Sequence, residues 1–283
     1  MKYKTISLFA ALAVLAGCNK HQNELVPVRV HVSDFSISMD SMSDTKASAI
    51  NSYNGVKAVT LAFYDSQNNE VYKSTRTRSE SGFSSFSLSL PYGSFTMVVL
   101  GYAWYDGDEF TLTSPTLASF TTDSRETFVA TQAVNVNSPD ALDLTANLNR
   151  IVAKLQVNSS DTRPEGIARI RMGFSAGSKT FNPTTGLATS NTTFSNSVGI
   201  SASVGSSTSS TSYLFLSSDE QSIDVTVEAL DSEGEVVYRR LIPDVPFKRN
   251  CCTTLTGNVY ANSVSAGSFL LNTDWGEETD VSF

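Results

Sequence analysis

Residues 28–39, VRVHVSDFSISM, decide the fold class of this chain. Apolar side chains stand at every second position, first as valines up to Val32 and then, after a predicted bulge, from Phe35 onward. The polar Arg29 and His31 lie between the valines. Because successive side chains of a strand point to opposite faces, this period predicts a strand with one buried face. His31 is therefore expected to face solvent.

The same period of two recurs along the whole chain, and sustained helical periodicity is nearly absent. Further predicted strands cover residues 59–63, 71–72, 85–90, 95–102, the region near 120, 127–136, 148–157, 167–174, 213–216, 223–229 and 236–242. Gly, Pro and Asn separate these strands, which is typical of antiparallel sandwiches. The length allows one large or two ordinary domains. We predict an all-β protein with two domains, residues 27–145 and 146–283.

The N-terminus predicts a lipoprotein signal peptide. A basic start is followed by the apolar stretch 6–15 and by the lipobox Leu15-Ala16-Gly17-Cys18. The stretch is too short to span a bilayer, which needs about 20 residues. We expect residues 1–17 to be removed, Cys18 to carry acyl chains such as palmitate, and residues 18–26 to form a tether from the outer membrane. An ordinary secretory signal with a chance cysteine is the alternative.

The net charge and the cysteine content exclude some classes of partner and of covalent cross-link. The formal net charge is −8, which argues against nucleic acid as a partner. Besides Cys18, the chain contains only the adjacent Cys251 and Cys252, so a framework of long-range disulfides is excluded. Neighbours on a strand face opposite sides, which predicts one buried and one surface thiol. A strained vicinal disulfide is the alternative.

Catalytic residue patterns are missing from the sequence. The chain has only two histidines, His21 in the tether and His31 on the first strand, and no Gly-x-Ser-x-Gly motif surrounds its serines. The sequence therefore predicts no enzyme, no metal centre and no cofactor. The acidic run from Asp106 to Glu109 could ligate calcium, but it lacks a full set of ligands and a solvated turn is the simpler interpretation.

Three aromatic residues next to that turn support a rival function. Tyr102, Trp104 and Tyr105 could form a platform for a sugar ring, although aromatic side chains also pack the ends of sandwiches. On this hypothesis the protein is a monomeric glycan-binding surface lipoprotein.

Three motifs resemble a known family. Residues 245–250 (VPFKRN) with 253–258 (TTLTGN), residues 148–155 (LNRIVAKL), and the tail from Phe269 to Gly276 resemble segments of fimbrillin-like lipoproteins of the FimA/Mfa type from Gram-negative anaerobes. Members of that family are subunits, or anchor and accessory subunits, of type V pili. The resemblance implies two tandem transthyretin-like antiparallel β-sandwiches, a place on the cell surface or in a fimbrium, and a role in adhesion to a host or bacterial surface.

The resemblance also implies assembly by strand exchange with other fimbrial subunits. A protease removes the first strand with its lipid, and the tail of a neighbouring subunit fills the groove. The cleavage site maps onto Lys46 and Ala47, where lysine replaces the arginine of the family, so a trypsin-like or lysine-specific protease is implied. Without cleavage the protein would be a lipid-retaining anchor or accessory subunit.

The donor segment maps onto residues 268–283. Its alternate positions, expected on one face, are Phe269, Leu271, Thr273 and Trp275. The alternative is an ordinary closing strand of the second domain.

Overall fold

The fold was determined from a computed structural model, which describes residues 24–37, 46–50, 53–105, 109–261 and 270–272. Every regular element within these ranges is a β-strand, which confirms the predicted all-β class. The same ranges contain no helix that is long and apolar enough to cross a membrane.

The strands are numbered in chain order. Their bounds are β1 (Leu25–Ile37), β2 (Lys46–Ala49), β3 (Ala58–Tyr64), β4 (Glu70–Thr77), β5 (Ser85–Pro91), β6 (Gly93–Tyr102), β7 (Phe110–Ser114), β8 (Leu117–Phe120), β9 (Thr127–Val136), β10 (Leu142–Arg150), β11 (Ala153–Ser159), β12 (Ile167–Phe174), β13 (Thr180–Asn182), β14 (Leu187–Ala188), β15 (Phe194–Gly199), β16 (Ser209–Leu214), β17 (Glu220–Asp231), β18 (Val236–Lys248), β19 (Cys252–Gly257) and β20 (Leu270–Asn272).

The N-terminal half is an eight-stranded sheet that folds on itself. Its strand order is β2-β1-β10-β9-β6-β3-β4, and β5 also pairs with β1. The pairing of β10 with β9 is confined to Asn149 and Arg150, so the sheet bends at this corner into two layers. Valines of β1 in one layer and of β3 and β6 in the other share one buried apolar cluster. This packing is that of a β-sandwich.

The C-terminal half contains two four-stranded sheets, β16-β11-β19-β20 and β15-β12-β17-β18. Alternate side chains of β11, β12 and β17 form a second apolar cluster between the two sheets. Leu155, Met172 and Val225 are each fully buried there. The two layers therefore enclose a core of their own.

A fourth sheet, β14-β13-β8-β7, joins the two halves. Residues Thr180 and Phe181 of β13 pair with Ser119 and Ala118 of β8. The ring of Phe181 stacks on that of Phe215 with centroids 4.2 Å apart. A third apolar cluster, which includes residues of both halves, lies between this small sheet and β3, β6 and β9. The halves are thus held together by backbone pairing and by apolar burial.

The chain passes from the first half to the second at Ile151 and Val152, between β10 and β11. The predicted division between residues 145 and 146 falls inside β10. The alternation of buried and exposed residues changes its phase a few residues later. Buried positions fall on even numbers through Arg150, continue at both Ile151 and Val152, and fall on odd numbers from Ala153.

Candidate functional site

Strand β1 occupies an inserted position in the first sheet. It runs parallel to β10, with Val28 opposite Leu142, and antiparallel to β5, with Val28 opposite Leu88. The register with β10 shifts between Val32 and Phe35, where the sequence predicts a bulge. Since β1 pairs on both sides, its removal would leave unpaired backbone groups along β5 and β10.

The inner face of β1 is one continuous row of valines. Val26, Val28, Val30 and Val32 are each 1–2% exposed and belong to the first apolar cluster. Burial of one such side chain contributes about 1.5–3 kcal/mol. The strand is therefore held mainly by apolar packing along a trench.

The outer face of β1 is polar and weakly bonded. Arg29 lies 3.6 Å from Asp143 in an ion pair whose side chains are 69% and 71% exposed. His31 faces solvent, as predicted, and its Nδ1 lies 3.1 Å from Ser85 Oγ. Such exposed pairs contribute about 0–1 kcal/mol each.

Lys46 and Ala47, the candidate cleavage site, begin the short edge strand β2. Their backbone pairs with Ile37 and Ser36 at the end of β1. Beyond β2, the guanidinium of Arg78 donates hydrogen bonds to backbone carbonyls, at 2.7 Å to Val56 and at 2.9 Å to Ile50. The chain that follows the candidate cleavage site thus has contacts with Arg78 in addition to its pairing with β1.

The start of the candidate donor segment lies at a sheet edge. Residues Leu270 to Asn272 form β20, which pairs antiparallel with β19 and places Leu271 opposite Leu255. The other donor candidates, Phe269, Thr273 and Trp275, fall outside the described residues, as do the lipidation site Cys18 and the acidic residues Asp106 and Asp108.

The three loop aromatics do not form one exposed platform. Tyr102 is only 4% exposed, and its ring packs on Phe110 with centroids 4.3 Å apart. Trp104 and Tyr105 are 38% and 57% exposed, and they line different cavities. The guanidinium of Arg125 lies over the Tyr105 ring, 4.9 Å from its centroid. Tyr102 is a core residue because β6 continues to it with its side chain facing the third apolar cluster.

A buried charge network lies at the corner where the halves meet. Arg150, the last residue of β10, places Nη2 2.8 Å from Glu126 Oε1, and their side chains are 3% and 6% exposed. The Tyr53 hydroxyl donates to both carboxylate oxygens of Glu126, at 2.8 and 2.9 Å. Arg150 Nη1 also donates to Asn250 Oδ1 at 3.3 Å. The network therefore joins two segments that the sequence singles out only separately, 148–155 and 245–250.

The electrostatics of this corner keep nearby phenols neutral. Burial, followed by the neighbouring Glu126 carboxylate, raises the pKa of Tyr53 well above its usual range. The same two causes, in the same order, raise the pKa of Tyr213. Sequence reasoning missed this network. The sequence indicates the network only through Arg150, which occupies a position of β10 where the alternation predicts an apolar residue.

The described ranges contain two cysteine thiols, at adjacent positions. Within the described ranges, no group of three or more His, Cys, Asp or Glu side chains could hold a metal ion. Cys251 is half-buried and Cys252 is buried, and both are thiols, so the pair is not a vicinal disulfide in this structure. Burial raises the pKa of the Cys252 thiol.

Comparison with solved structures defines the class of fold. A Bacteroides thetaiotaomicron protein described among "putative polysaccharide binding proteins (DUF1812)" has a TM-score of 0.52 and 11% identity, over 87% of this chain and 96% of its own. A "putative cell adhesion protein" from Bacteroides ovatus has a TM-score of 0.51 and 14% identity, over 90% and 99% of the two chains. The fimbrial anchor protein Mfa2 of Porphyromonas gingivalis has a TM-score of 0.48 and 13% identity, over 87% and 95%.

The chain therefore shares its all-β fold with the first two of these proteins. The resemblance to fimbrillin-like lipoproteins that the sequence indicates is confirmed at the level of the fold. The protein belongs to the family of unknown function DUF6562, whose model matches residues 27–280. No curated protein matches the chain.

Proposed function

We propose that this protein is a lipid-anchored, non-enzymatic surface adhesin that acts as a fimbrial subunit and assembles by strand exchange. The observation that carries the proposal is the position of β1. This strand comes first in the described chain, lies between β5 and β10, and buries a row of valines. The similarity in fold to proteins described as adhesion and polysaccharide-binding proteins supports the adhesive role.

Three features support β1 as the exchangeable strand. Its apolar face fills a trench, the polar contacts of Arg29 and His31 on its outer face are exposed, and the candidate cleavage site at Lys46 lies nine residues after its end. After cleavage, β1 would be retained only by non-covalent contacts. An extended segment from another subunit could then restore both the backbone ladder and the apolar core.

The tail of a second copy is the proposed replacement. Phe269, Leu271, Thr273 and Trp275 recur at every second position, as the inward valines of β1 do. In the uncleaved chain, the start of this tail pairs with β19 at the edge of a sheet. A short edge pairing of this kind can be given up in favour of a deeper groove at modest cost.

The lipid on Cys18 gives cleavage a second consequence. Since Cys18 and β1 both precede Lys46, one cut separates the body of the subunit from its membrane anchor. An uncut chain stays attached to the outer membrane and would serve as an anchor or accessory subunit. Processing at this site thus decides between the two roles.

Limited proteolysis of the purified mature lipoprotein tests the proposal. Trypsin should cut after Lys46, as mapped by mass spectrometry, and the clipped chain should form a ladder of oligomers on unheated denaturing gels. Lys46→Gln should resist this cut and stay monomeric. A variant that lacks residues 268–283 should be cut normally but should not form the ladder. Clipped protein that remains monomeric, or a ladder that does not need the tail, would contradict strand exchange.

A further inference from the structure

A cleft whose lining contains no residue of β1 lies between the two halves of the protein. It has a volume of about 1050 Å³ and lies between the segment that joins β8 to β9 and the strands β15 and β16. One wall comes from the N-terminal half and the other from the C-terminal half. The size is that of a site for a molecule of several rings.

Two buried polar atoms in the walls of this cleft lack a hydrogen-bond partner among the described residues. They are Ser124 Oγ and Asn196 Oδ1, and each residue is 2% exposed. The amide nitrogen of Asn196 is already committed, since it donates to Ser212 Oγ at 2.7 Å and to the Tyr213 carbonyl at 2.9 Å. Because buried polar groups are almost always hydrogen-bonded, these two atoms leave hydrogen-bonding capacity unused in the walls of the cleft.

The charges of the cleft favour an anion, although the chain as a whole is acidic. Arg125, Lys154 and Arg169 line the cleft. Its carboxylates already have cationic neighbours, with Glu126 paired to Arg150 and Asp123 3.9 Å from Lys179.

The two arginines, Arg125 and Arg169, are also held in place. Arg169 donates from Nε to Ser197 Oγ at 3.1 Å and from Nη2 to the Ser197 carbonyl at 3.2 Å. Arg125 lies over the exposed ring of Tyr105, which also lines the cleft. An arginine that is oriented in this way can bind a carboxylate with little loss of side-chain freedom.

From this combination we infer that the cleft binds an acidic oligosaccharide. Sugar hydroxyls both donate and accept, so they suit the serine residues of β15 and β16 that line the cleft. The carboxylate of the sugar lies among the arginines, and the Tyr105 ring offers an apolar face to the pyranose. The inference deepens the proposed adhesive role and rests on it, but it does not depend on strand exchange.

Calorimetric titration of the uncleaved, monomeric mature protein tests the inference. The probes are trigalacturonic acid with its methyl ester, and sialyllactose with neutral lactose. At least one acid should bind with a dissociation constant below about 1 mM, and its neutral partner should bind at least about tenfold more weakly. Arg125→Gln and Arg169→Gln should each abolish that preference. Asn196→Leu should weaken the binding of both members of the pair.

Arg239→Gln is the matched control, because this arginine is 68% exposed on β18 and does not line the cleft. It should bind like the unmodified protein, and melting curves show whether each variant is folded. The inference is overturned if folded protein binds none of the probes, if acid and neutral probes bind equally, or if the control loses as much affinity as the cleft variants. Binding without polymerisation would remove strand exchange alone, and polymerisation without binding would remove the cleft alone.

Discussion

Arg150 and Glu126 form a buried ion pair, with Nη2 2.8 Å from Oε1. The pair lies at the end of β10, where the chain passes from the first half to the second. Arg150 also contacts the ring of Phe128, 4.9 Å from its centroid, and donates to Asn250 in the other half. A backbone angle φ of 58° places Asn250 in the left-handed region, which asparagine tolerates better than most residues. One arginine thus fixes the corner of the first sheet and the position of the second half.

Breaking this pair should destabilise the whole protein. Glu126→Gln or Arg150→Met leaves one charge buried without its counter-charge, so the free energy of unfolding should fall by about 3–5 kcal/mol. The double variant should lose less than the sum of the two, because neither charge then remains. Urea unfolding, monitored by tryptophan fluorescence, measures the free energy of unfolding of the two single variants and the double variant.

The exposed pair of Arg29 and Asp143 is the control for that experiment. Arg29→Gln should change the free energy of unfolding by no more than about 1 kcal/mol. Equal effects at Arg29 and at Arg150 would contradict the structural role assigned to the buried pair.

A synthetic peptide of residues 24–37 should block assembly. If cleavage releases β1, the peptide will refill the groove of clipped subunits and prevent the ladder of oligomers. The same peptide with aspartate in place of Val28 and Val30 should have no effect, since charged side chains cannot enter the apolar trench. Gels of clipped protein incubated with each peptide show whether the ladder of oligomers forms. An equal effect of the two peptides on the ladder would exclude this groove as the assembly site.

Alkaline pH should destabilise the fold through buried phenols. Tyr64 is fully buried, and burial, followed by the charge of Glu70, raises its pKa to about 12. A free tyrosine titrates near pH 10, so above that pH the unfolded chain loses a proton that the folded chain retains. The free energy of unfolding should therefore be insensitive to this residue below pH 10, and should fall by up to about 1.4 kcal/mol per pH unit between pH 10 and 12.

Tyr64→Phe isolates that contribution. Its hydroxyl has no hydrogen-bond partner in the described part of the chain, so the substitution should cost little at neutral pH and should make the alkaline decline shallower. Urea unfolding at a series of pH values measures the slope. A slope that is identical in both proteins would show that Tyr64 titrates normally.

The loop aromatics should separate into structural and surface residues. Tyr102→Ala removes a ring that packs on Phe110 and Phe120, and should cost about 3–5 kcal/mol of stability. Trp104→Ala, at a side chain that is 38% exposed, should cost clearly less. Melting temperatures of the two variants compare them directly, and equal losses would contradict the burial of Tyr102.

The strands with clear alternation were predictable nearly to the residue. The bounds of β12, 167–174, agree with the structure because this strand has enough apolar positions to reveal its period. Strands β15 and β16 lie in a serine-rich segment that reads as a loop. Several of their buried positions are polar, namely Asn196, Ser210 and Ser212, and the hydrophobic period therefore gives little signal there.

The candidate sites divide in the same way. The β1 row of valines is visible in the sequence, since a strand with one buried face displays that face at every second residue. The ion pair of Glu126 and Arg150 is not visible, because its partners are separated by the whole of β9 and the two pair at a corner of the sheet. The aromatic platform fails as a unit for a related reason, since adjacent residues at a strand end face different surroundings.

The amino-acid sequence by itself determined the all-β class, the inward face of β1 and the series of strands, because these follow from local alternation. Only the tertiary structure decided that β1 lies between β5 and β10, that the halves share the sheet containing β8 and β13, and that Ser124 and Asn196 meet in one cleft. The physical reason is that strand pairing and burial join residues far apart in the chain. Alternation specifies which face of a strand is buried, but not which strand covers it.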